Sequence, residues 1–244
     1  MASLAGGQGV KYDIDIVFCI DATGSMTPII DKVRRVTLGF DEKVRARFSA
    51  GNKNIGELRV RVVEFGDFCD GPEAIKGSEF FMLPDQKDAF ASVVNGIDIA
   101  NKGGDIPENG LEALYEAMHS DWVVPATGNK CRHIIVVLTD AVPLNLKERE
   151  GCVGYSDEYP SDIYALEDIW NEKVDLQSGV TPSTKMRYND HRLVLFVPSD
   201  ADEDGRSWQD VMGWAFASQT EVKPGEGCDD IDMDGVIEEI FKSA

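Results

Sequence analysis

The sequence is poor in histidine, in basic residues and in long apolar runs. It contains 3 histidines, and its 24 lysines and arginines face 44 aspartates and glutamates, which gives a net charge of −20. Such a chain repels phosphate backbones and anionic lipids, so we expect neither nucleic acid nor a membrane surface as partner. Dense carboxylates suit hard cations such as Mg²⁺ or Ca²⁺, although an acidic surface also serves solubility. The apolar runs are too short to span a bilayer.

Cysteine is also sparse. The 5 cysteines are an odd number, are widely spaced and form no CxxC pair. Cys19 lies inside an apolar run, as a buried thiol does. The pattern argues against a structural zinc site or a disulfide framework and favours a reducing compartment, so we expect a cytoplasmic protein. Residues 1–11 have no basic start and no apolar stretch, and we expect a disordered leader or a tag remnant.

Short, nearly continuous apolar runs predict strands that are buried on both faces of a parallel sheet. These runs are residues 14–20, 133–139 and 192–197. The run at 58–65 alternates at first, which predicts a strand further from the centre. Residues 80–83 and 220–223 are candidates for short edge strands.

Apolar residues three or four positions apart predict helices between these strands. The first stripe runs from Ile29 to Phe48 and predicts one helix that begins near Pro28. Further helices are predicted at residues 90–97, 111–118, 163–170, 208–214 and 236–241. The alternation predicts one α/β domain over residues 12–244, a doubly wound, mostly parallel sheet of about six strands flanked by helices.

One segment, residues 142–190, is longer than a single crossover between strands requires. Its aromatic residues are Tyr155, Tyr159, Tyr164, Trp170 and Tyr188. Two interpretations remain open, namely an insertion packed on the surface and a loop that selects a partner.

Oxygen-bearing side chains follow the predicted central strands or precede a predicted helix. They are Asp21, Thr23 and Ser25 after the first strand, Asp105 and Glu108 before the helix at 111–118, and Asp140 after the run at 133–139. Ligands of a doubly wound sheet bind outside the carboxyl ends of its strands, so these loops converge if the strands are neighbours. Hydroxyls and carboxylates together form the donor set of Mg²⁺, with Mn²⁺ or Ca²⁺ as alternatives.

At these residues the sequence resembles the von Willebrand factor type A (vWA) domains. Their metal-ion-dependent adhesion site (MIDAS) has an Asp-x-Ser-x-Ser motif after the first strand, and residues 21–25, DATGS, match it with Thr23 in the first serine position. Residues 105–108, DIPE, are similar to the Asp-x-Pro-Glu turn of integrin β-subunit domains.

The resemblance implies a Rossmann-like sheet with strand order 3-2-1-4-5-6 and a metal site with defined roles. Thr23, Ser25 and Glu108 would bind the metal directly, and Asp21 and Asp140 would hold its waters. Asp105 would support the direct ligands without binding the metal itself, or would hold an adjacent cation. The metal would take an Asp or Glu of a partner protein, as in an intracellular assembly or regulatory module that is not an enzyme.

Simpler structural roles compete with this interpretation. Thr23 and Ser25 could cap the helix near Pro28, and Asp105 and Glu108 could be acids of a helical first turn. Two acidic stretches, residues 200–205 and 230–235, spell the DxDxDG opening of a calcium loop. Their twelfth positions, Val211 and Phe241, are apolar instead of acidic.

Enzymatic alternatives also remain open. A metal-dependent phosphohydrolase could use Asp21, although Thr23 replaces the second acid of the DxDx[TV] motif of haloacid dehalogenases. A Ser-His-Asp hydrolase needs a histidine near Ser25. His133 and His191 begin their predicted strands, at the opposite end of the sheet, and we expect both to be packing or surface residues. The last alternative is a structural domain without metal.

Overall fold

A computed structural model describes residues 11–99, 107–124, 128–172, 184, 186 and 189–243. The predicted leader, except Lys11, lies outside these residues, and so does Asp105. Of the 142–190 segment, residues 142–172 are described continuously, and Tyr188 is outside.

A seven-stranded sheet forms the centre of the fold. Its strands are β1 Lys11–Asp21, β2 Asn54–Phe65, β3 Ile75–Gly77, β4 Phe81–Met82, β5 Lys130–Leu138, β6 His191–Val197 and β7 Ala217–Glu221. The order is β3-β2-β1-β5-β6-β7, and β4 also pairs with β2. All neighbours are parallel except β3 and β4, which run antiparallel to β2.

The predicted doubly wound α/β fold is confirmed, with one more strand than expected. The order becomes 3-2-1-4-5-6 when β3 and β4 are counted as two pieces of one outer position. The break between the pieces has a local cause at Ser78. Its hydroxyl, in place of a main-chain carbonyl, accepts the amide of Val62 (3.1 Å), and Arg61 Nε binds the Ser78 carbonyl (2.7 Å). The main-chain ladder is therefore interrupted there.

Helices cover both faces of the sheet. They are α1 Thr27–Val36, α2 Phe40–Ala50, α3 Lys87–Asn95, α4 Gly110–Met118, α5 Ile163–Trp170, α6 Gln209–Met212 and α7 Met233–Ser243. The prediction of one continuous helix behind Pro28 is wrong, because a 3-10 turn at Thr37–Gly39 separates α1 from α2. The Thr37 hydroxyl donates to the Val33 carbonyl (2.6 Å), and the glycine at 39 is a weak helix former, so the helix breaks there.

The sheet divides the apolar interior into two cores. On β1, Ile14, Ile16, Phe18 and Ile20 face the core under α1, α2, α3 and α7. The alternate residues Val17 and Cys19 face the core under α4, α5 and α6. This burial of both faces explains the continuous apolar runs of the central strands. None of the helices in the described ranges is long and apolar enough to cross a membrane.

Candidate metal site at the carboxyl edge of the sheet

Asp21 ends β1 and is fully buried. Its Oδ1 accepts hydrogen bonds from the Thr23 amide (2.9 Å) and the Thr23 hydroxyl (2.6 Å). Its Oδ2 accepts a hydrogen bond from the Thr139 hydroxyl (2.6 Å). These contacts arise because β1 and β5 are parallel neighbours with Ile20 opposite Leu138, so the residues after both strands meet. The predicted convergence of these two loops is thus seen directly.

Ser25 and Asp140 extend the same network. The Ser25 hydroxyl donates to Asp140 Oδ1 (2.9 Å) and lies 3.4 Å from the Thr23 hydroxyl. Asp140 Oδ2 accepts the Gly227 amide (2.6 Å) from the segment before α7. Neither the 3-10 turn at Gly24–Met26 nor α1 receives a side-chain cap. The hydroxyls of Thr23 and Ser25 therefore serve the acidic cluster and not a helix terminus.

Glu108 is held at the same edge by its main chain. Its amide donates to the Val142 carbonyl (3.2 Å), and its carbonyl accepts the Leu144 amide (2.8 Å), so it lies against the loop after β5. The next residue, Asn109, donates its amide to the Gly66 carbonyl (3.3 Å) just beyond β2. Helix α4 begins only at Gly110. Glu108 is consequently not an acid of the helical first turn.

The carboxylate of Glu108 is buried without full compensation. The residue is 2% exposed, and its Oε2 has no hydrogen-bond partner within the described part of the chain. Burial, together with the negative charges of Asp21, Asp67 and Asp70, raises its pKa to about 9, and Arg149 opposes this shift. A buried carboxylate needs either a cation that balances its negative charge or a proton that removes it.

The buried carboxylate of Asp21 is also incompletely compensated, but to a smaller extent. Burial, aided by the charge of Asp140, raises the pKa of Asp21 to about 6, although hydrogen bonds from Thr139 and Thr23 favour the ionised form. Without a cation, this edge of the sheet therefore holds more negative charge than its hydrogen bonds neutralise.

The available donors fit a hard cation. Across the residues that the structure describes, no group of three His, Cys, Asp or Glu side chains is arranged to hold a metal. A site here must therefore include the hydroxyls of Thr23 and Ser25 beside the carboxylates. Together with the unpartnered Glu108 oxygen, this all-oxygen set suits Mg²⁺, Mn²⁺ or Ca²⁺ better than a thiophilic metal. Asp105 lies outside the described residues.

Two residues near the edge had no predicted ligand role. Thr139, the last residue of the apolar run at 133–139, donates its hydroxyl hydrogen to Asp21 Oδ2 (2.6 Å). Asp67 follows β2, is 5% exposed, and accepts two hydrogen bonds from Arg149 Nε (2.7 and 2.9 Å). The available signal for Asp67 was an acid two positions after the apolar run at 58–65, similar to Asp21 after the run at 14–20. Its basic partner lies 82 positions away and gives no local signal.

The two calcium-loop-like stretches have other roles. In residues 200–205, the Arg206 guanidinium pairs with Asp202 (2.8 Å) and Asp204 (2.5 Å), and also with Glu148 (2.7 Å). The Arg206 guanidinium thus already balances charge on these carboxylates. In residues 230–235, Asp232 accepts the Gly235 amide (2.6 Å) in the first turn of α7. The second stretch therefore forms the acidic start of α7.

Two of the three histidines, His133 and His191, lie towards the opposite end of the sheet. His133 and His191 are fully buried, and they face each other at the start of β5 and β6. Their rings lie 5.0 Å from Trp122 and 4.0 Å from Trp170. Both are packing residues, in agreement with the sequence-based expectation.

Comparisons with known proteins connect the fold to vWA structures. No protein-family model matches the chain, and no curated protein matches it in sequence. A pilus adhesin, SpaC from Lactobacillus rhamnosus GG, is similar in structure, with a TM-score of 0.53, 14% identity, and coverage of 96% of this chain and 31% of the adhesin. A von Willebrand factor type A structure from Catenulispora acidiphila is similar with a TM-score of 0.52, 11% identity, and coverage of 96% and 43%.

The chain therefore spans less than half the length of these proteins. At such low identity, the likeness concerns the fold alone. The chain is a mixed α/β domain whose seven-stranded, mostly parallel sheet and flanking helices match a vWA structure.

Proposed function

We propose that this domain is a protein-interaction module whose binding depends on a divalent cation at the carboxyl edge of the sheet. Mg²⁺ is the expected ion, with Mn²⁺ or Ca²⁺ as alternatives. Thr23, Ser25 and Glu108 bind it directly, and Asp21 and Asp140 hold its waters. Asp105 supports Glu108 without binding the ion itself, or holds a neighbouring cation.

The observation that carries this proposal is the buried carboxylate of Glu108, whose Oε2 lacks a partner among the described residues. Its main chain lies against the loop after β5, and the charge of Asp21 contributes to its raised pKa. Asp21 in turn belongs to the hydrogen-bonded chain of Asp21, Thr23, Ser25 and Asp140. A folded chain tolerates such a group when a ligand supplies the missing charge. A cation at this position meets that requirement and binds both loops together.

The chemistry of the donors favours an acidic partner. Hydroxyl ligands are neutral, so the ion keeps part of its positive charge. An Asp or Glu side chain of another protein can then complete the coordination shell. Such a charge-assisted, desolvated contact is a strong determinant of affinity and specificity. The description of SpaC as a pilus adhesin supports protein binding in this fold class.

We propose that the segment after β5 adds side chains to the binding surface. Tyr164 and Val153 are 71% and 74% exposed and are available to a partner. Trp170 is fully buried and Tyr159 is 6% exposed, so these two aromatics pack inside the domain instead. The net charge of −20 disfavours nucleic acid and anionic membranes, and we propose an intracellular assembly or regulatory role.

A phosphohydrolase that uses Asp21 as its nucleophile is the competing function. Both carboxylate oxygens of Asp21 accept hydrogen bonds, and the residue is fully buried, which disfavours attack on an external phosphate. The variant Asp21→Asn separates the two functions. Turnover of a generic phosphate ester that Asp21→Asn abolishes would support the enzyme and contradict the binding module.

The metal itself is tested by thermal unfolding in EDTA and in millimolar Mg²⁺, Mn²⁺ or Ca²⁺. A cation present at about 100 times its Kd stabilises the fold by about 2.7 kcal/mol, or about 5–10 °C in Tm. Ser25→Ala should remove this gain. Thr27→Ala should retain it, because the Thr27 hydroxyl donates to the Gly24 carbonyl (2.7 Å) and is not a proposed ligand. Equal unfolding of the parent protein in EDTA and in all three cations would contradict the proposal.

Partner binding is tested with immobilised peptides that contain one Asp or Glu, compared with their Asn or Gln counterparts. Retention should require both the acid and the cation, and EDTA should release the protein. Retention that ignores EDTA would place the binding surface elsewhere.

A further inference from the structure

Two cysteines lie side by side at the junction between the loops that follow β2 and β5. Cys69 belongs to the 3-10 turn Phe68–Asp70, and Cys152 belongs to the segment after β5. Their sulfur atoms are 3.6 Å apart, although the residues are 83 positions apart in sequence. Cys69 is exposed and Cys152 is half-buried, so small solutes can reach the pair.

The other three cysteines are shielded. Cys19, Cys131 and Cys228 are all buried. Burial raises the pKa of the Cys19 thiol to about 12 and raises that of Cys228 as well. Because the thiolate is the reactive form, these buried thiols are poor nucleophiles. Cys69 and Cys152 therefore differ from the other three cysteines because solutes can reach them.

The junction around the pair is well packed, which holds the two sulfurs near each other. Arg149 binds Asp67 with its guanidinium. The Phe68 ring contacts Tyr155 edge to face with centroids 5.2 Å apart. On the other side of Cys152, a Cβ built on Gly154 would lie 2.4 Å from the Pro72 carbonyl oxygen, so the two backbones touch.

Only a small movement separates this arrangement from a covalent bond. A disulfide needs its sulfurs about 2.05 Å apart, so the pair must approach by about 1.5 Å. Two neighbouring glycines leave room beside the packed junction, since a Cβ added at Gly71 or Gly151 would meet no atom within 4 Å. Rotation of the two side chains with a slight loop shift can therefore supply the approach.

We propose that Cys69 and Cys152 are a redox modification site, at which a low-molecular-weight disulfide such as glutathione disulfide converts the two thiols into a reversible intramolecular disulfide. The Cys69 thiolate attacks one glutathione sulfur and expels the other glutathione as a thiolate, which takes up a proton. The Cys152 thiolate then attacks Cys69 Sγ in the mixed disulfide and expels the second glutathione. The protein loses two protons and two electrons, and one glutathione disulfide becomes two glutathione thiols.

The reaction should be faster above neutral pH. The hydrogen bond to Cys152, with some burial, raises the pKa of Cys69, so its thiolate becomes abundant only in alkaline buffer. The disulfide would join the segment after β2 to the segment after β5, and so fix the junction that also holds Asn109 through the Phe68 amide (3.0 Å). This inference does not depend on the proposed metal, because its readouts need none.

The test is incubation of the full chain with glutathione disulfide in EDTA at about pH 8, followed by alkylation of the remaining thiols and peptide mass spectrometry. We expect a cross-linked peptide pair containing Cys69 and Cys152, reversible with dithiothreitol. The oxidised protein should unfold about 5–10 °C higher, since the bond closes a loop of 83 positions. Cys131→Ser should still form the cross-link.

The single variants Cys69→Ser and Cys152→Ser should stop at a stable glutathione adduct on the remaining cysteine, without the rise in Tm. Three outcomes would overturn the proposal. They are mixed disulfides that persist on both cysteines of the parent chain, disulfide-linked dimers as the main product, and a cross-link that involves a buried cysteine.

Discussion

The replacement Glu108→Gln gives the sharpest test of the electrostatics at the carboxyl edge. The pKa of Glu108 is raised from 4.5 to about 9 in the folded, metal-free protein. At pH 7 folding therefore requires the uptake of a proton, which costs about 1.4 kcal/mol for each pH unit above 4.5, or about 3 kcal/mol in total. Glutamine has nearly the same shape and needs no proton. Burying the glutamine amide without a hydrogen-bond partner costs about 1 kcal/mol. We therefore expect the variant to be about 2 kcal/mol more stable than the parent.

The pH dependence fixes the sign of this effect. Since the folded-state pKa of Glu108 lies above its unfolded value, its contribution to stability is fully present below pH 4.5 and is lost as the pH rises towards about 9. The stability difference between Glu108→Gln and the parent should therefore grow through this range. Other groups also titrate, but they do so in both proteins and cancel in the difference.

The assay is urea unfolding in EDTA at several pH values between 5 and 8.5. Glu112→Gln is the control for metal binding: Glu112 is also buried, its Oε2 also lacks a partner among the described residues, and burial raises its pKa too, but its Oε1 accepts the Tyr155 hydroxyl (2.9 Å). Both variants should therefore gain stability relative to the parent as the pH rises. In Mg²⁺, Glu108→Gln should lose the stabilisation by metal and Glu112→Gln should keep it. A difference between Glu108→Gln and the parent that is constant with pH, or a less stable variant throughout, would refute the reasoning.

Three further predictions concern other parts of the fold. Burial lowers the pKa of His191 to about 4, so the parent should lose up to about 3 kcal/mol of stability as the pH falls from 6.5 to 4. His191→Phe should lack this loss, and equal acid dependence of the two proteins in urea unfolding would contradict the prediction. Gly154→Ala should cost about 2–4 kcal/mol of stability, because its φ is +95° and the new Cβ would lie 2.4 Å from the Pro72 carbonyl oxygen. Gly151→Ala, at φ +93° in open space, should cost about 1 kcal/mol in the same assay. Arg206→Gln leaves neighbouring carboxylates without their cation and should cost about 1 kcal/mol at low salt; the loss should shrink in 1 M NaCl, and a salt-independent loss would point to packing.

Local patterns predicted most of the fold. The apolar runs at 14–20 and 192–197 became central strands because residues buried on both faces leave a continuous signal that needs no knowledge of the partner strand. The break between α1 and α2 was missed, since the stripe of apolar residues continues across Thr37–Gly39 even though the backbone does not. Helix α6 was overestimated for a related reason, as the apolar residues Trp208 and Trp214 flank a helix of only Gln209–Met212.

In the candidate site, too, local patterns predicted some features, and others depend on tertiary packing. The meeting of Asp21 with the loop after β5 follows from parallel neighbouring strands, and the sequence contains the information for it. The Glu108 oxygen that has no partner among the described residues depends on the whole tertiary environment, whereas the DIPE turn indicated only a ligand role for Glu108. The pairing of Cys69 with Cys152 is equally invisible, and the scattered cysteines argued only against a disulfide framework. The metal role of the predicted ligands stays a prediction.

The interrupted outer rim of the sheet has a consequence for how copies of this domain behave at high concentration. Strand β3 covers three residues of β2 and β4 covers two, with the Ser78 side chain between them, while the opposite rim ends in the five residues of β7. An incoming strand would find only short, offset rows of free amides and carbonyls. Edge-to-edge stacking into fibres is therefore disfavoured by geometry as well as by mutual charge repulsion.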